Sequence, residues 1–252
     1  MELVVLGTGA AYPGPGQASS GYLVRSGETR LLIDCGNGVV VRLQEAGELY
    51  GLTHLLFSHL HADHLLDVFP LFYSRLYGGG QVMPPLPTLM PPGEVERFAR
   101  VAELLRVDPK KMVEQVFQMG EYDPEAGLTV DGLRISFLRT VHPVPTFALR
   151  IEEGGSALVY TSDTAPFPEL ADFARGCRIL LAEATISQQD FDAEHAIHLT
   201  PSLAADLAAR SGAEKLLLTH MWPYYDRKAM LEEGLQVFPN TQLAEELRVY
   251  KL

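Results

Sequence analysis

The chain has 252 residues, 47% of them hydrophobic, and its 20 basic and 32 acidic side chains give a formal net charge of −12. That length supports one substantial core or two fused halves, and the negative charge opposes general attraction to a polyanion. No apolar run approaches the length of a membrane span, and the two cysteines, Cys35 and Cys177, are too few for a disulfide framework, so a cytoplasmic protein with buried free thiols is expected.

A first strand is expected at Glu2-Leu3-Val4-Val5-Leu6, and by itself the following Gly7-Thr8-Gly9 reads as a tight turn. Glycine pairs and Asp-Gly between apolar alternations predict hairpins at Ser26-Gly27-Glu28, Asp131-Gly132 and Gly154-Gly155. A helix is predicted near residues 37–46. After it, the apolar run His54-Leu55-Leu56-Phe57-Ser58 leads into His59-Leu60-His61-Ala62-Asp63-His64, which holds three of the chain's eight histidines and a carboxylate. If the strand stays extended through residue 61, His59 and His61 point the same way and can share one ion. The spacing of Leu65, Leu66, Val68, Phe69, Leu71 and Phe72 predicts a helix over 63–76. Asp63 and His64 then lie in its first turn, where a carboxylate suits the helix dipole. One turn can thus serve two ions; a set of solvated surface histidines is the plainer alternative, but packing has no use for such a cluster. The stretch Gly78–Gly93, with five prolines between Pro84 and Pro92, reads as irregular: a rim or lid over the site, or equally a plain surface connection. A helix near 93–106 follows.

Three later apolar strands end on candidate ligands. Ile135-Ser136-Phe137-Leu138 runs to His142, Ala157-Leu158-Val159-Tyr160-Thr161 to Asp163, and Leu216-Leu217-Leu218-Thr219 to His220. Strand ends on one rim of a sheet are where α/β proteins place their sites. Each residue alone reads as well as a turn or capping residue, but four strand ends repeating the pattern weaken that reading. Helices are predicted near 168–175, 201–211 and 227–236. Thr200 suits an N-cap, Pro201 a first helical residue and Gly212 a stop, so His198 precedes a helix N-terminus, a place suited to an anionic phosphate. A loop histidine beside a cap is the alternative. With no linker in sight, residues 1–252 read as a single α/β domain.

The pattern His-x-His-x-Asp-His at 59–64, followed in order by His142, Asp163 and His220, resembles the metallo-β-lactamase superfamily over nearly the whole chain. The resemblance implies a four-layer αββα sandwich and two divalent metal ions. It assigns His59, His61 and His142 to one ion, Asp63, His64 and His220 to the other, and Asp163 to both. Zinc suits these ligand types, and manganese, iron or nickel are accepted by the same groups. Leu6-Gly7-Thr8-Gly9-Ala10, and His198-Leu199-Thr200-Pro201 ahead of an alanine-rich helix, resemble ribonuclease Z and its phosphodiesterase relatives. That resemblance implies that His198 donates a proton and is held by Glu183 of Leu181-Ala182-Glu183-Ala184-Thr185; with two ions activating a water, Asp63 and Asp163 are expected to accept its hydrogen bond.

Two departures bear on substrate. Ribonuclease Z carries a long arm for transfer RNA between the positions matching His142 and Asp163, where this chain has room for one hairpin. The basic residue expected soon after the N-terminal glycine motif is replaced by Pro13-Gly14-Pro15-Gly16-Gln17. The expected function is therefore a dinuclear metal-dependent hydrolase, a phosphodiesterase for a small cyclic nucleotide ester, with neither transfer RNA nor membrane as partner and with a homodimer left open. The alternatives are a transfer RNA 3′-processing endonuclease, a thioesterase or lactonase, and, least favoured, a non-catalytic metal-binding protein.

Overall fold

The computed structural model describes residues 1–78, 83–107 and 111–252. Their strands form two sheets. The first takes β1 (Glu2–Gly7), β2 (Gly21–Ser26), β3 (Thr29–Ile33), β4 (His54–Leu56), β5 (Leu86–Met90) and β6 (Phe117–Glu121), with β14 (Val249–Lys251) beyond β1. The second runs from β7 (Leu128–Val130) through β8 (Leu133–Arg139), β9 (Phe147–Glu153), β10 (Ser156–Tyr160), β11 (Ile179–Glu183) and β12 (Lys215–Thr219) to β13 (Thr241–Leu243). Each sheet is antiparallel at its start and parallel further on, through β3-β4-β5-β6 and β10-β11-β12-β13. The parallel strands all end on one rim, where chain leaving a strand is free to carry polar groups.

Alternation along the strands builds the layers. Leu3, Val5, Tyr22, Val24, Leu31 and Ile33 of the first sheet share one core with Ile135, Leu149, Ile151, Leu158, Leu181 and Leu217 of the second. The residues between them face outward: Val4, Leu6, Leu23 and Leu32 pack with α1 (Val39–Glu45), α3 (Val68–Tyr77) and α4 (Glu94–Leu104). Ala157, Val159, Leu180, Ala182, Leu216 and Leu218 pack with α5 (Glu169–Phe173), α6 (Pro201–Ser211) and α7 (Arg227–Leu235). Burying each large apolar side chain contributes roughly 1.5–3 kcal/mol. The result is the αββα sandwich that the family resemblance implied.

The hairpins lie where their turn residues predicted. Gly154 and Gly155 both have positive φ, as do Asp131 and Gly132, the backbone that matches the twist of the flanking strands. Cys35 and Cys177 are free and buried, as expected. No helix among the described residues is long and apolar enough to cross a membrane.

Two expectations are corrected. The helix over 63–76 is two helices, α2 (Ala62–Leu65) and α3, joined at Leu66-Asp67. In one continuous helix the ring of Pro70 would meet the carbonyl of Leu66; in the first turn of a new helix Pro70 costs nothing, because its missing N–H has no partner there. The Asp67 carboxylate pins the break by accepting the Val40 N–H at 2.9 Å. The proline-rich stretch Gly78–Gly93 is not an irregular rim or lid in its described part, and residues 79–82 lie outside the described residues. Leu86–Met90 forms β5, buried between β4 and β6 at Leu86, Thr88 and Met90. Its pairing with β4 starts at Thr88, so Pro87 withholds no donor from that ladder.

Candidate metal centre

The rim gathers side chains from both sheets. Ser58 through His64 leave β4, Asp163 leaves β10 and His220 leaves β12, while His142 lies in the turn between β8 and β9. Three strand ends turn through a left-handed residue that is not glycine: Asp34 (φ 58°), Ser162 (φ 52°) and His220 (φ 52°). Such backbone costs of order 1–3 kcal/mol and persists where surrounding structure imposes it, a pattern typical of sites. Gly36 lets the turn after β3 pass beneath the cluster, because a Cβ there would lie 1.9 Å from the Asp63 carbonyl oxygen.

The seven expected ligands come together as two groups. His59, His61, His142 and Asp163 form one, Asp63, His64 and His220 the other, and within each group the nearest ligand atoms lie within 4.8 Å of one another. Asp163 lies between them. Its Oδ2 is 3.7 Å from His59 Nε2 and 3.8 Å from His142 Nε2, while its Oδ1 is 3.5 Å from both His64 Nε2 and His220 Nδ1. Oδ1 is buried and accepts no hydrogen bond among the described residues.

The donor set fits cations. His61 Nδ1 lies 3.2 Å from His59 Nε2 and 3.1 Å from His142 Nε2, and His64 Nε2 lies 3.2 Å from His220 Nε2. Neutral imidazoles that turn lone pairs on one another are stabilised by a shared positive ion. The opposite nitrogens are engaged: His64 Nδ1–H donates to Asp34 Oδ2 at 2.8 Å and His142 Nδ1–H to the Ile197 carbonyl at 3.3 Å. His220 Nδ1 lies 2.8 Å from Thr185 Oγ1, and His59 Nδ1 lies 3.1 Å from Ser58 Oγ. Such outer contacts fix tautomer and ring orientation in metal sites. Burial lowers the pKa values of His59, His61 and His142, keeping them neutral as ligation requires. His64 goes the other way. Burial opposes its charge, but Asp163, Asp63 and Asp34 together push its pKa up to about 10. The carboxylates around it call for a cation, which a proton or a metal ion can supply. Asp63 is itself held far below the carboxylate range by His64, His220 and the Ala11 N–H, against its burial.

Beside these groups stands a second pair. His198 Nδ1 lies 3.0 and 3.1 Å from the two oxygens of Glu183, the fully buried last residue of β11. Glu183 is fixed in turn by the Thr164 N–H and the Thr185 hydroxyl, each at 2.6 Å. Burial works against charge on His198, and the Glu183 carboxylate outweighs it, leaving a pKa raised to about 9. Next in the chain, Thr200 caps α6 by accepting the Leu203 N–H at 3.2 Å, with Pro201 first in the helix and Gly212 closing it in the left-handed conformation.

Asp34 was not among the predicted site residues. Fully buried, it accepts Ser58 N–H and Ser58 Oγ, each at 2.7 Å, the Tyr160 hydroxyl at 3.1 Å and His64 Nδ1–H. Its signal was the one used elsewhere: Leu31-Leu32-Ile33 is an apolar strand ending on a carboxylate. Asp34→Asn keeps the shape but removes the charge that holds His64, and is expected to weaken metal binding at that group about 10–100-fold. Competition with a chromogenic chelator reads this out, and unchanged affinity would mean that Asp34 only packs.

A profile of the β-lactamase superfamily domain matches residues 29–221. The chain belongs to this superfamily. It is 30% identical to a probable metallo-hydrolase, YhfI, of Bacillus subtilis over 94% of both chains. It is 33% identical to a protein named ribonuclease Z of Mycolicibacterium paratuberculosis, over 88% of this chain and 86% of that one. The crystal structure of B. subtilis YhfI, described as a metallo-β-lactamase fold protein, superposes with a TM-score of 0.88 at 28% identity, covering 99% of this chain and 98% of that one. A diphosphatase of the PhnP family shares the superfamily fold, with a TM-score of 0.78 at 19% identity over 100% of this chain and 97% of that one.

Proposed function

We propose that residues 1–252 act as one dinuclear metal-dependent phosphodiesterase domain, whose substrate is a small and cyclic nucleotide ester. The observation that carries this reading is the His198–Glu183 pair standing beside two groups of metal-ligating side chains. A thioester expels a thiolate that needs little protonation, so a thioesterase has little use for a proton donor held this way. A small substrate is supported by the chain between His142 and Asp163, which is filled by the hairpin of β9 and β10 and carries no RNA-gripping arm.

In this reading His59, His61 and His142 hold one ion, Asp63, His64 and His220 the second, and Asp163 serves both, with zinc the first candidate and manganese, iron or nickel acceptable to the same donors. Bound divalent ions supply Lewis acidity, lowering the pKa of water and offsetting charge on a phosphoryl group. The protein's own part is positional. Asp63, ionised and held by the Ala11 N–H at 2.7 Å, orients the attacking water by accepting its hydrogen bond. His198, its Nδ1–H committed to Glu183, presents Nε2–H to the departing oxygen and gives up that proton as the ester bond breaks. Glu183 stabilises the imidazolium beforehand and keeps the ring from turning.

A transfer RNA 3′-processing endonuclease is the second reading, favoured by the mycobacterial relatives named ribonuclease Z. One assay decides between them. The metal-loaded protein, at physiological salt, is expected to cleave 2′,3′-cyclic or 3′,5′-cyclic nucleotides faster than it processes precursor transfer RNA or hydrolyses thioesters. Efficient processing of the RNA would overturn the small-substrate reading, because a net charge of −12 would then have to be offset by a phosphate-binding surface elsewhere.

A further inference from the structure

Four aromatic rings, Tyr12, Trp222, Tyr224 and Tyr225, form a contiguous cluster, and two of them follow residues of the metal centre by one or two positions of chain. Trp222 follows His220 by two positions, and Tyr12 follows Ala11, whose N–H reaches Asp63 Oδ2 at 2.7 Å. Two peptide units span at most about 7 Å, so both side chains leave the backbone within about that distance of His220 or Ala11. The Tyr12 and Trp222 centroids are 6.2 Å apart with the rings at 87°, those of Trp222 and Tyr224 5.3 Å apart, and those of Tyr224 and Tyr225 4.5 Å apart. In an edge-to-face pair, the ring that offers its edge keeps both faces clear of its partner. Tyr12 is 48% exposed and Tyr224 61%, large apolar faces for which water is an unfavourable neighbour.

The backbone beneath these rings is fixed. Met221 N–H donates to the Thr8 carbonyl at 2.9 Å and Ala10 N–H to the Met221 carbonyl at 3.1 Å, zipping the N-terminal loop to the chain that follows His220. Gly14 packs so closely that a Cβ there would lie 3.0 Å from Pro223 Cβ. Tyr225 is tethered by its hydroxyl, which donates to Asp190 at 2.6 Å. Rings carried on a backbone that is fixed before a ligand arrives lose less freedom on binding it.

We propose that Tyr12, Trp222 and Tyr224 form a stacking subsite for the base of a nucleotide whose phosphate lies at the metal groups. This rests on the phosphodiesterase reading and adds the part of the substrate that is not the phosphate: a planar heterocycle. Every base has a π-face, so stacking selects nucleotides over sugar phosphates without choosing strongly among bases. It also gives a role to the N-terminal loop, whose Pro-Gly sequence carries no cation to receive a phosphate.

Trp222 is the chain's one tryptophan, so its fluorescence reports on the subsite directly. The metal-loaded protein is titrated with adenosine 5′-monophosphate and, separately, with ribose 5-phosphate. Adenosine 5′-monophosphate should quench Trp222 saturably and bind about 10–100-fold more tightly than the base-free sugar phosphate, the range that stacking one base provides. Tyr12→Ala should erase most of that ratio and Tyr12→Phe should restore it, since the phenyl ring stacks without the hydroxyl. Equal binding of the two ligands, or a ratio that survives in Tyr12→Ala, would overturn the subsite. Hydrolysis of methyl p-nitrophenyl phosphate, a diester without a base, tests the phosphodiesterase reading separately: its cleavage together with equal binding would sink the stacking inference alone, and failure to cleave any diester would sink the reading beneath it.

Discussion

Asp163→Ala is expected to lower kcat/KM for bis(p-nitrophenyl) phosphate by roughly 10³-fold or more, the several kcal/mol of charge stabilisation that bound ions provide. Among the described residues, Asp163 is the one carboxylate within 4 Å of imidazole nitrogens from both ligand groups, at 3.7 and 3.8 Å on one side and 3.5 Å on the other. Its Oδ1 has no other partner among the described residues, so the side chain is placed for ions and not for packing. Without it the first group keeps three imidazoles and no anion, while the second keeps Asp63 but loses a neighbour. Elemental analysis should fall below the about two ions per chain expected of the parent protein. His142→Ala provides the comparison, because it touches the first group alone. Near-parental turnover and full metal content in Asp163→Ala would show that Asp163 serves neither ion and that the dinuclear reading is mistaken.

Local signals carry most of what is legible in the sequence. The hairpins and the cap of α6 depend on residues within a few positions of one another, and glycine, proline and threonine announce them. The strand ends were legible for the same reason: an apolar run that stops on a histidine or aspartate reports both an element and its rim. What failed was a local rule set against another. Apolar spacing over 63–76 argued for one helix, and Pro70 in the same stretch argued for two; the steric rule is the harder and prevailed. Prolines between Pro84 and Pro92 suggested a loop, yet β5 needs backbone pairing with β4 only from Thr88 onward, which Pro87 does not obstruct. Asp34 carried the same strand-end signal at Leu31-Leu32-Ile33, but its role depends on Ser58, His64 and Tyr160, which are distant in sequence. Tyr12 and Trp222 lie at opposite ends of the chain and are joined by the bridge between Gly9 and Met221, a contact that no sequence pattern announces.

His198→Ala should keep both ions and the fold while slowing cleavage of a cyclic nucleotide by roughly 10²–10⁴-fold. His198 Nδ1 is committed to Glu183 at 3.0 and 3.1 Å, and the pKa near 9 means that the ring carries both protons at neutral pH, so Nε2–H is available to a leaving oxygen. The size of the effect should depend on that oxygen. A nucleotide alkoxide is too basic to leave unprotonated, and its loss should show the full effect; p-nitrophenolate needs little protonation, and the penalty should shrink with it. Glu183→Gln should give a milder version of the same dependence, because the amide still accepts a hydrogen bond from Nδ1–H but no longer favours the imidazolium. The Thr164 N–H and Thr185 hydroxyl that now hold the carboxylate leave room for only one acceptor oxygen on glutamine, so some loss of orientation adds to the loss of charge. Asp163, His198 and His220 also place ligand atoms within 4.8 Å of one another, so metal ligation by His198 is the competing role. That alternative predicts a different result: equal losses for both leaving groups, with one ion missing from His198→Ala.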